Sequence, residues 1–470
     1  MRIVSVSVMA EEQDRISHLP DDILIRILGL LPTKDVARSS LLSQAWRKLS
    51  PFSSLSVLMF QCPDFLESCR KNTDVSSFIN AIDSSLRLRP KDVNLARLRL
   101  HLDLDDIESE SLIDSWIDAA LERKVKELDL YLRPRSIAKP YGLPAKIFST
   151  TTITVLSLEQ CRLEICGDID LPALRKLGLR KIRCDEQAIR QLISSCPLIE
   201  DLDIASSGGL QKLHVSGLAN LHRLQVTCCY NLRRIEIDAP SLQHLVYHHY
   251  ERLPCDMVLT PCEFLRELIL LDPHITNDFL QNLDSGFPNL ERLEIDFTRL
   301  QRIEISHHQL KRLELKLSAL QKEAKLKIDA PNLQSFTYSG YRMPLTSTIS
   351  SMNTSSLREA EIHFRNYNDY SHFFIPQLKE FFEKSKNCQV INLLIKSKEV
   401  LYNKFRNKEE NPKCCTSCSI KCWRHYLKDV QIDSDESKLE IDQIIEMPEL
   451  SQKSTNCKVR FRLKWRSQLL

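Results

Sequence analysis

Two stretches decide the fold of this chain: Leu171-Pro-Ala-Leu-Arg-Lys-Leu-Gly-Leu-Arg180 and Cys196-Pro-Leu-Ile-Glu-Asp-Leu-Asp-Ile-Ala205. Each holds an apolar residue, two variable positions, then apolar, one position, apolar: Leu174/Leu177/Leu179 and Ile199/Leu202/Ile204. The last two members alternate as they would in a strand with one face on a core and one in water. Pro lacks a ladder donor, so Pro172 and Pro197 fit just before such a strand and help to set its start.

The same spacing recurs outward in both directions. Upstream it reads Leu95/Leu98/Leu100, Val125/Leu128/Leu130 and Ile153/Leu156/Leu158. Downstream it reads Leu210/Leu213/Val215, Leu221/Leu224/Val226, Leu232/Ile235/Ile237, Leu242/Leu245/Tyr247 and Leu265/Leu268/Leu270. It continues through Leu290/Leu293/Ile295, Leu300/Ile303/Ile305, Leu310/Leu313/Leu315 and Leu333/Phe336/Tyr338 to Leu357/Ala360/Ile362. One such strand cannot bury its face alone, whereas stacking many in parallel makes a continuous core, the logic of a leucine-rich-repeat solenoid. The fold class is therefore α/β, an irregular leucine-rich-repeat solenoid with a parallel β-sheet as its concave face.

Spacing gives the returns. Leu98, Leu128, Leu156, Leu177 and Leu202 lie 21 to 30 residues apart, room for a strand, turns and a helix. Ser111 to Arg123 and Asp185 to Ser194 carry apolar residues at helical spacing and fill that room. From Leu202 to Ile235 the step is eleven residues, and Leu293, Ile303 and Leu313 are ten apart. No helix of ordinary length fits there, so tight loops are expected to close those turns. Every copy is then a strand of one concave sheet, about fourteen in all. Its outward positions include Arg99, Asp129, Glu159, Arg180, Asp203, His214, Gln225, Glu236, Val246, Ile269, Glu294, Glu304 and Glu314, with mixed signs that single out no partner class.

Near the N-terminus, a different unit carries apolar residues at helical spacing: Ile23, Leu24, Ile27, Leu28 and Leu31. Pro20 suits the first helical position, Asp21 and Asp22 complement the positive end of the helix dipole, and Pro32 stops the helix. Thr33 and Ser43 are caps for a second and a third helix, the third carrying Trp46 and Leu49. So short a unit has more apolar surface than it can bury in itself and reads as a docking module.

Leu19-Pro20-Asp21-Asp22-Ile23-Leu24, Ile27-Leu28, Leu31-Pro32, Asp35-Val36-Ala37 and Ser40-Leu41-Leu42-Ser43 through Trp46 resemble an F-box, of the type found in plant F-box proteins with leucine-rich repeats. The resemblance implies a three-helix F-box that binds the Skp-family adaptor, and through it cullin, of a Skp–cullin–F-box ubiquitin ligase. The implied contacts are Leu19, Pro20, Ile23, Leu24, Ile27, Leu28, Leu31, Pro32, Val36, Leu42 and Trp46. The organisation expected is an F-box at 12–52, a connecting segment at 53–92, the repeats at 93–365 and a C-terminal α/β region at 366–470, compared with the FBD domain that ends some members of that family. The repeats would hold an unidentified target protein. A repeat scaffold outside any ligase is the alternative.

Composition agrees with a soluble, non-catalytic chain. Lys and Arg (65) nearly balance Asp and Glu (62), so charge gives no reason to expect nucleic acid or a membrane surface. No apolar run approaches the length that spans a bilayer. The opening apolar stretch is short, broken by serines and followed at once by Glu11, Glu12 and Asp14, so a nuclear or cytoplasmic location is expected. The 16 cysteines call for no disulfides there, and those inside repeats read as small buried thiols. No phosphate loop, nucleophile elbow or dinucleotide fingerprint is present, so no catalytic residue and no cofactor are assigned. His248-His249 and His307-His308 read as solvated histidines. Cys415, Cys418, Cys422 and His425 offer four zinc-type ligands, but their pairs are closer together than structural zinc sites usually place them, and a packing motif is the competing reading. A helix over 375–384, a strand over 389–395 and a basic edge strand over 457–465 complete the tail.

Overall fold

A computed structural model describes residues 19–28, 57–61, 75–87, 94–103, 110–133, 140–165, 167–249, 254–271, 275–296, 302–317, 325–340, 349–364, 388, 390–395, 427–434 and 459–465. The chain divides into two compact units, 1–213 and 214–470.

The first unit contains helix α1 (Asp21–Leu28), β1 (Val57–Gln61), α2 (Val75–Arg87), β2 (Arg97–Asp103), α3 (Glu110–Glu122), β3 (Glu127–Arg133), β4 (Tyr141–Gly142), β5 (Val155–Glu159), β6 (Cys161–Arg162), β7 (Lys176–Arg180), α4 (Glu186–Ser194) and β8 (Asp201–Ala205). Strands β1, β2, β3, β5, β7 and β8 pair in that order, all parallel and without a register shift. Leu58, Leu98, Leu128, Leu156, Leu177 and Leu202 are thereby stacked into one buried row. The parallel sheet thus begins at β1, inside the stretch read as a connector.

Both expected helices form. Helix α3 turns Ile113, Trp116, Ile117 and Ala120 inward, and the Trp116 indole N–H donates to Asp83 Oδ1 of α2 at 3.3 Å. Asp185 caps α4 by accepting the Ala188 N–H at 2.7 Å.

At the division of the chain lies β9 (Lys212–Val215), followed by β10 (Arg223–Thr227), β11 (Arg234–Ile237), β12 (His244–His248), β13 (Asp256–Leu259), β14 (Glu267–Leu271), α5 (Asn277–Gln281), α6 (Leu283–Gly286) and β15 (Arg292–Asp296). Beyond it come β16 (Arg302–Ser306), β17 (Arg312–Leu317), β18 (Lys325–Asp329), β19 (Ser335–Gly340), β20 (Ile349–Asn353), β21 (Glu359–Phe364), β22 (Val390–Ile395), β23 (Leu427–Ser434) and β24 (Val459–Trp465).

Here the chain departs from one expectation. Strand β10 pairs with β12, not with β11, and β12 pairs with β14. The skipped strands form second sheets: β11 sits between β9 and β13, and β18 between β16 and β20. The steps of ten and eleven residues are therefore half-repeats, each ending on the opposite sheet, and not full turns closed by tight loops. Counted within the main sheet alone, Leu224, Leu245, Leu268, Leu293, Leu313, Phe336 and Ala360 are 20 to 25 residues apart. That is ordinary spacing for a leucine-rich repeat. Irregularity resides in the return path, which among the described residues is helical at α5 and α6 and extended at β11, β13, β16, β18 and β20.

A proline turn precedes five of the main-sheet strands, β7, β8, β12, β15 and β19. The N–H groups of Leu174, Ile199, Leu242, Leu290 and Leu333 donate to the carbonyls of Leu171, Cys196, Ala239, Phe287 and Ala330, three residues back. In each, Pro takes the second place of a β-turn, where its fixed φ is already suited. All five donors are buried, so the leading apolar residue of each copy joins the core while its N–H is satisfied by the turn.

At the far end β22 adds parallel to β21, as the 389–395 pattern predicts. Strand β24 pairs antiparallel with β22 on one side and β23 on the other, so this basic strand lies inside the sheet and not at its edge. The helix expected over 375–384 lies outside the described residues.

Candidate functional site

The first candidate surface is the entry to α1. Leu19 and Pro20 precede the helix, and the Ile23 and Leu24 N–H groups donate to the Pro20 carbonyl at 3.0 and 3.1 Å, closing its first turn. Pro20 has no donor to lose there, and Arg26 in the last turn faces the negative end of the dipole. Helical spacing then splits the apolar residues between two directions. Leu24 and Leu28, one turn apart, are 1% and 2% exposed, whereas Leu19 and Ile23 are each 36% exposed, Pro20 is exposed and Ile27 half-buried. An apolar residue left open one turn ahead of a buried leucine pair is a surface to which another protein can add. Of the residues singled out from sequence, Leu31, Pro32, Val36, Leu42 and Trp46 lie outside the described residues.

The second is the outward face of the main sheet in each unit. In the first unit, oppositely charged side chains of neighbouring strands pair across this face. Arg97 pairs with Glu127, Arg99 donates to Asp129 at 2.6 Å, Arg180 to Asp203 at 2.6 Å and Lys181 to Glu159 at 2.9 Å. Burial pushes the Asp129 carboxyl up. His101 and Arg99 more than offset this and hold it below the ordinary carboxylate range.

In the second unit, Glu267 accepts from Arg292 at 2.6 Å and from the His244 ring at 3.0 Å, while Arg292 also reaches Glu294 at 3.1 Å. Glu294 is only 6% exposed and is bridged from its other side by Lys316. Burial lowers the Lys316 ammonium, but Glu294 and Glu314 outweigh it and raise the group above its usual range. Exposed pairs of this kind each contribute roughly 0–1 kcal/mol. Glu294 differs, since removing one partner would strand a charge with little access to water. In each unit the paired charges of this face are thus neutralised by their neighbours.

His214, Glu236 and Glu304, grouped with this face from sequence spacing, belong instead to the second sheets. The histidine pairs are also corrected. His308 is exposed, but His249 and His307 are buried. His307 Nε2 lies 2.9 Å from the Phe287 carbonyl, and Nδ1 accepts the Gln309 N–H at 3.2 Å, so the ring serves as a turn brace. One of its two ring partners is a carbonyl twenty residues upstream, which no local pattern reveals.

Cys161, Cys184, Cys196 and Cys229 are buried thiols, as expected inside repeats. Burial pushes the Cys161 and Cys196 thiols up to about 12, which keeps them protonated and unreactive. Among the described residues no cluster of His, Cys, Asp and Glu could hold a metal. Cys415, Cys418, Cys422 and His425 fall outside them. No helix among the described residues is long and apolar enough to cross a membrane.

Comparison with known proteins adds to this geometry. Residues 16–55 match the F-box domain family, and residues 90–297 match the family described as At1g61320/AtMIF1, LRR domain. Among similar Arabidopsis thaliana proteins, FBD-associated F-box protein At5g56370 is 37% identical over 196 residues, 41% of this chain and 43% of that protein. F-box/LRR-repeat protein At3g59210 is 34% identical over 200 residues, 41% of this chain and 39% of the relative. F-box/FBD/LRR-repeat protein At1g78750 is 32% identical over 201 residues, 42% and 43% of the two chains. The chain spans less than half the length of the curated relatives it matches.

Proposed function

We propose that this chain, which joins an F-box domain to leucine-rich repeats as its plant relatives do, is the target-recognition adaptor of a Skp–cullin–F-box ubiquitin ligase. The F-box docks a Skp-family adaptor, and cullin is reached through it. The outward face of the repeats holds a target protein. Leucine-rich-repeat chains with an F-box are generally non-catalytic, and this one contributes proximity: it raises the effective concentration of a target near the charged ubiquitin carrier without chemistry of its own. The nucleus or cytoplasm is where it would act. The observation that carries this reading is the exposed Leu19-Pro20 and Ile23 surface at the start of α1, within the stretch that matches the F-box family.

Co-purification with a plant Skp-family adaptor and cullin tests it. Binding is expected for the wild-type chain and is expected to vanish in a variant with Leu19→Ala, Pro20→Ala and Ile23→Ala that keeps its circular dichroism and melting curve. A folded wild-type chain that captures no adaptor would replace this reading with that of a repeat scaffold outside any ligase.

A further inference from the structure

On the second sheet of the 214–470 unit, two neighbouring strands bring three side chains into line. His214 lies on β9, Ser216 just beyond the end of that strand, and Glu236 on β11. Ser216 Oγ is 2.8 Å from His214 Nε2, and His214 Nδ1 is 3.0 Å from Glu236 Oε2. A carboxylate can only accept, so in the neutral ring Nδ1 carries the proton and donates to Glu236. The Nε2 lone pair then faces the serine hydroxyl and accepts its proton. This is the nucleophile, base and orienting acid in hydrogen-bond reach of one another.

The orienting acid is fixed in turn. Arg234 Nε donates to Glu236 Oε1 at 2.6 Å, and Arg234 is also ion-paired with Asp256 on β13. Arg234 holds the Glu236 carboxyl below its ordinary range, so it is an anion at neutral pH. Ser216 is half-buried, and Gly217 beside it has φ +75°, which turns the chain sharply after the serine.

From this geometry we infer that Ser216 is a nucleophile activated by His214, a modification site that takes an acyl group from an activated ester or thioester. The Ser216 Oγ–carbonyl bond forms and the bond from that carbonyl to the leaving oxygen or sulfur breaks. The hydroxyl proton passes to His214 Nε2 and from there to the departing alcohol or thiol, so no oxidant or co-reactant is needed. The reaction is stoichiometric, one acyl group per chain, and does not depend on the adaptor role. General-base assistance contributes about 10²–10⁴-fold at enzyme sites, and the open position of His214 places it at the lower end of that range.

Brief exposure of the full chain to p-nitrophenyl acetate, an acid quench and peptide mapping by mass spectrometry test the site. Ser216 is expected to carry acetyl ahead of the other serines. His214→Gln is expected to slow that labelling by roughly 100-fold, and Glu236→Gln by less. Both substitutions fall on side chains open to solvent, and an unchanged melting curve confirms the fold. Acetyl on Ser216 no faster than on other surface serines, or an equal rate in folded His214→Gln, overturns the inference.

Discussion

Between β2 and β3 the chain returns through the thirteen-residue helix α3, whereas between β10 and β12 it returns through the four-residue strand β11. Each return joins two parallel strands whose leucines stack within their own unit, Leu98 on Leu128 and Leu224 on Leu245. The helix buries four side chains along one stripe, Ile113, Trp116, Ile117 and Ala120. The strand buries two, Ile235 and Ile237, by alternation. The difference teaches that the main sheet sets the repeat, and the return need only offer an apolar face of matching length. A strand does this with fewer residues because it gains a second hydrogen-bonded ladder, here to β13, that helices do not share.

The comparison breaks most visibly at Trp116. It is among the largest fully buried side chains, and its N–H is hydrogen-bonded to Asp83. Trp116→Ala is expected to lower stability by about 3–5 kcal/mol in urea unfolding, through cavity and lost transfer energy together. A cost under ~1 kcal/mol would mean that the helix is a loose cover and not part of the core.

Ile235→Ala probes the strand return and should cost about 2–5 kcal/mol. Had the ten- and eleven-residue steps been closed by surface loops, the same change would fall within roughly ±0.5 kcal/mol. Hydrogen exchange sharpens the test: Ile235 and Ile237 amides should be protected with those of the β13 ladder, not exchange like loop amides.

The smallest effect concerns the helical return at α6. Burial pushes the Asp284 carboxyl up, but hydrogen bonds from the His308 N–H and ring outweigh it and hold the group below the ordinary carboxylate range. A carboxyl depressed in the folded state stabilises fully above its unfolded value, and that contribution is lost as pH falls through the folded one. Asp284 is partly exposed, so the effect is modest. Melting temperatures taken from pH 6 down to pH 3 should therefore fall slightly less steeply for Asp284→Asn than for the wild type. Equal slopes would remove the Asp284–His308 tie from the account of this return.

Much of this was legible in the residues. Helices α3 and α4 were, because a 3.6-residue apolar stripe filled a long gap between strands. The exposed Leu19-Pro20 entry of α1 was legible as apolar surface in excess of what a short unit can bury. The division of labour within α1 was not. Leu24 is buried and Ile23 exposed, a choice that the stripe, which holds both, does not make by itself. Likewise β23 carries no strong repeat signal and joins the sheet only through its antiparallel pairing with β24.

The amino-acid sequence by itself determined which residues are buried in the strands. A period of two, led by an apolar residue whose N–H closes a proline turn, leaves one face for the core wherever the strand is placed. Only the tertiary structure decided which sheet each strand joins. Leu232/Ile235/Ile237 and Leu242/Leu245/Tyr247 present the same local pattern, yet β11 pairs with β13 and β12 with β14. Strand pairing is made by backbone groups about twenty residues apart, and those groups are the same in every residue. The side-chain pattern can specify a face, but the choice of neighbour is fixed by how the returns pack.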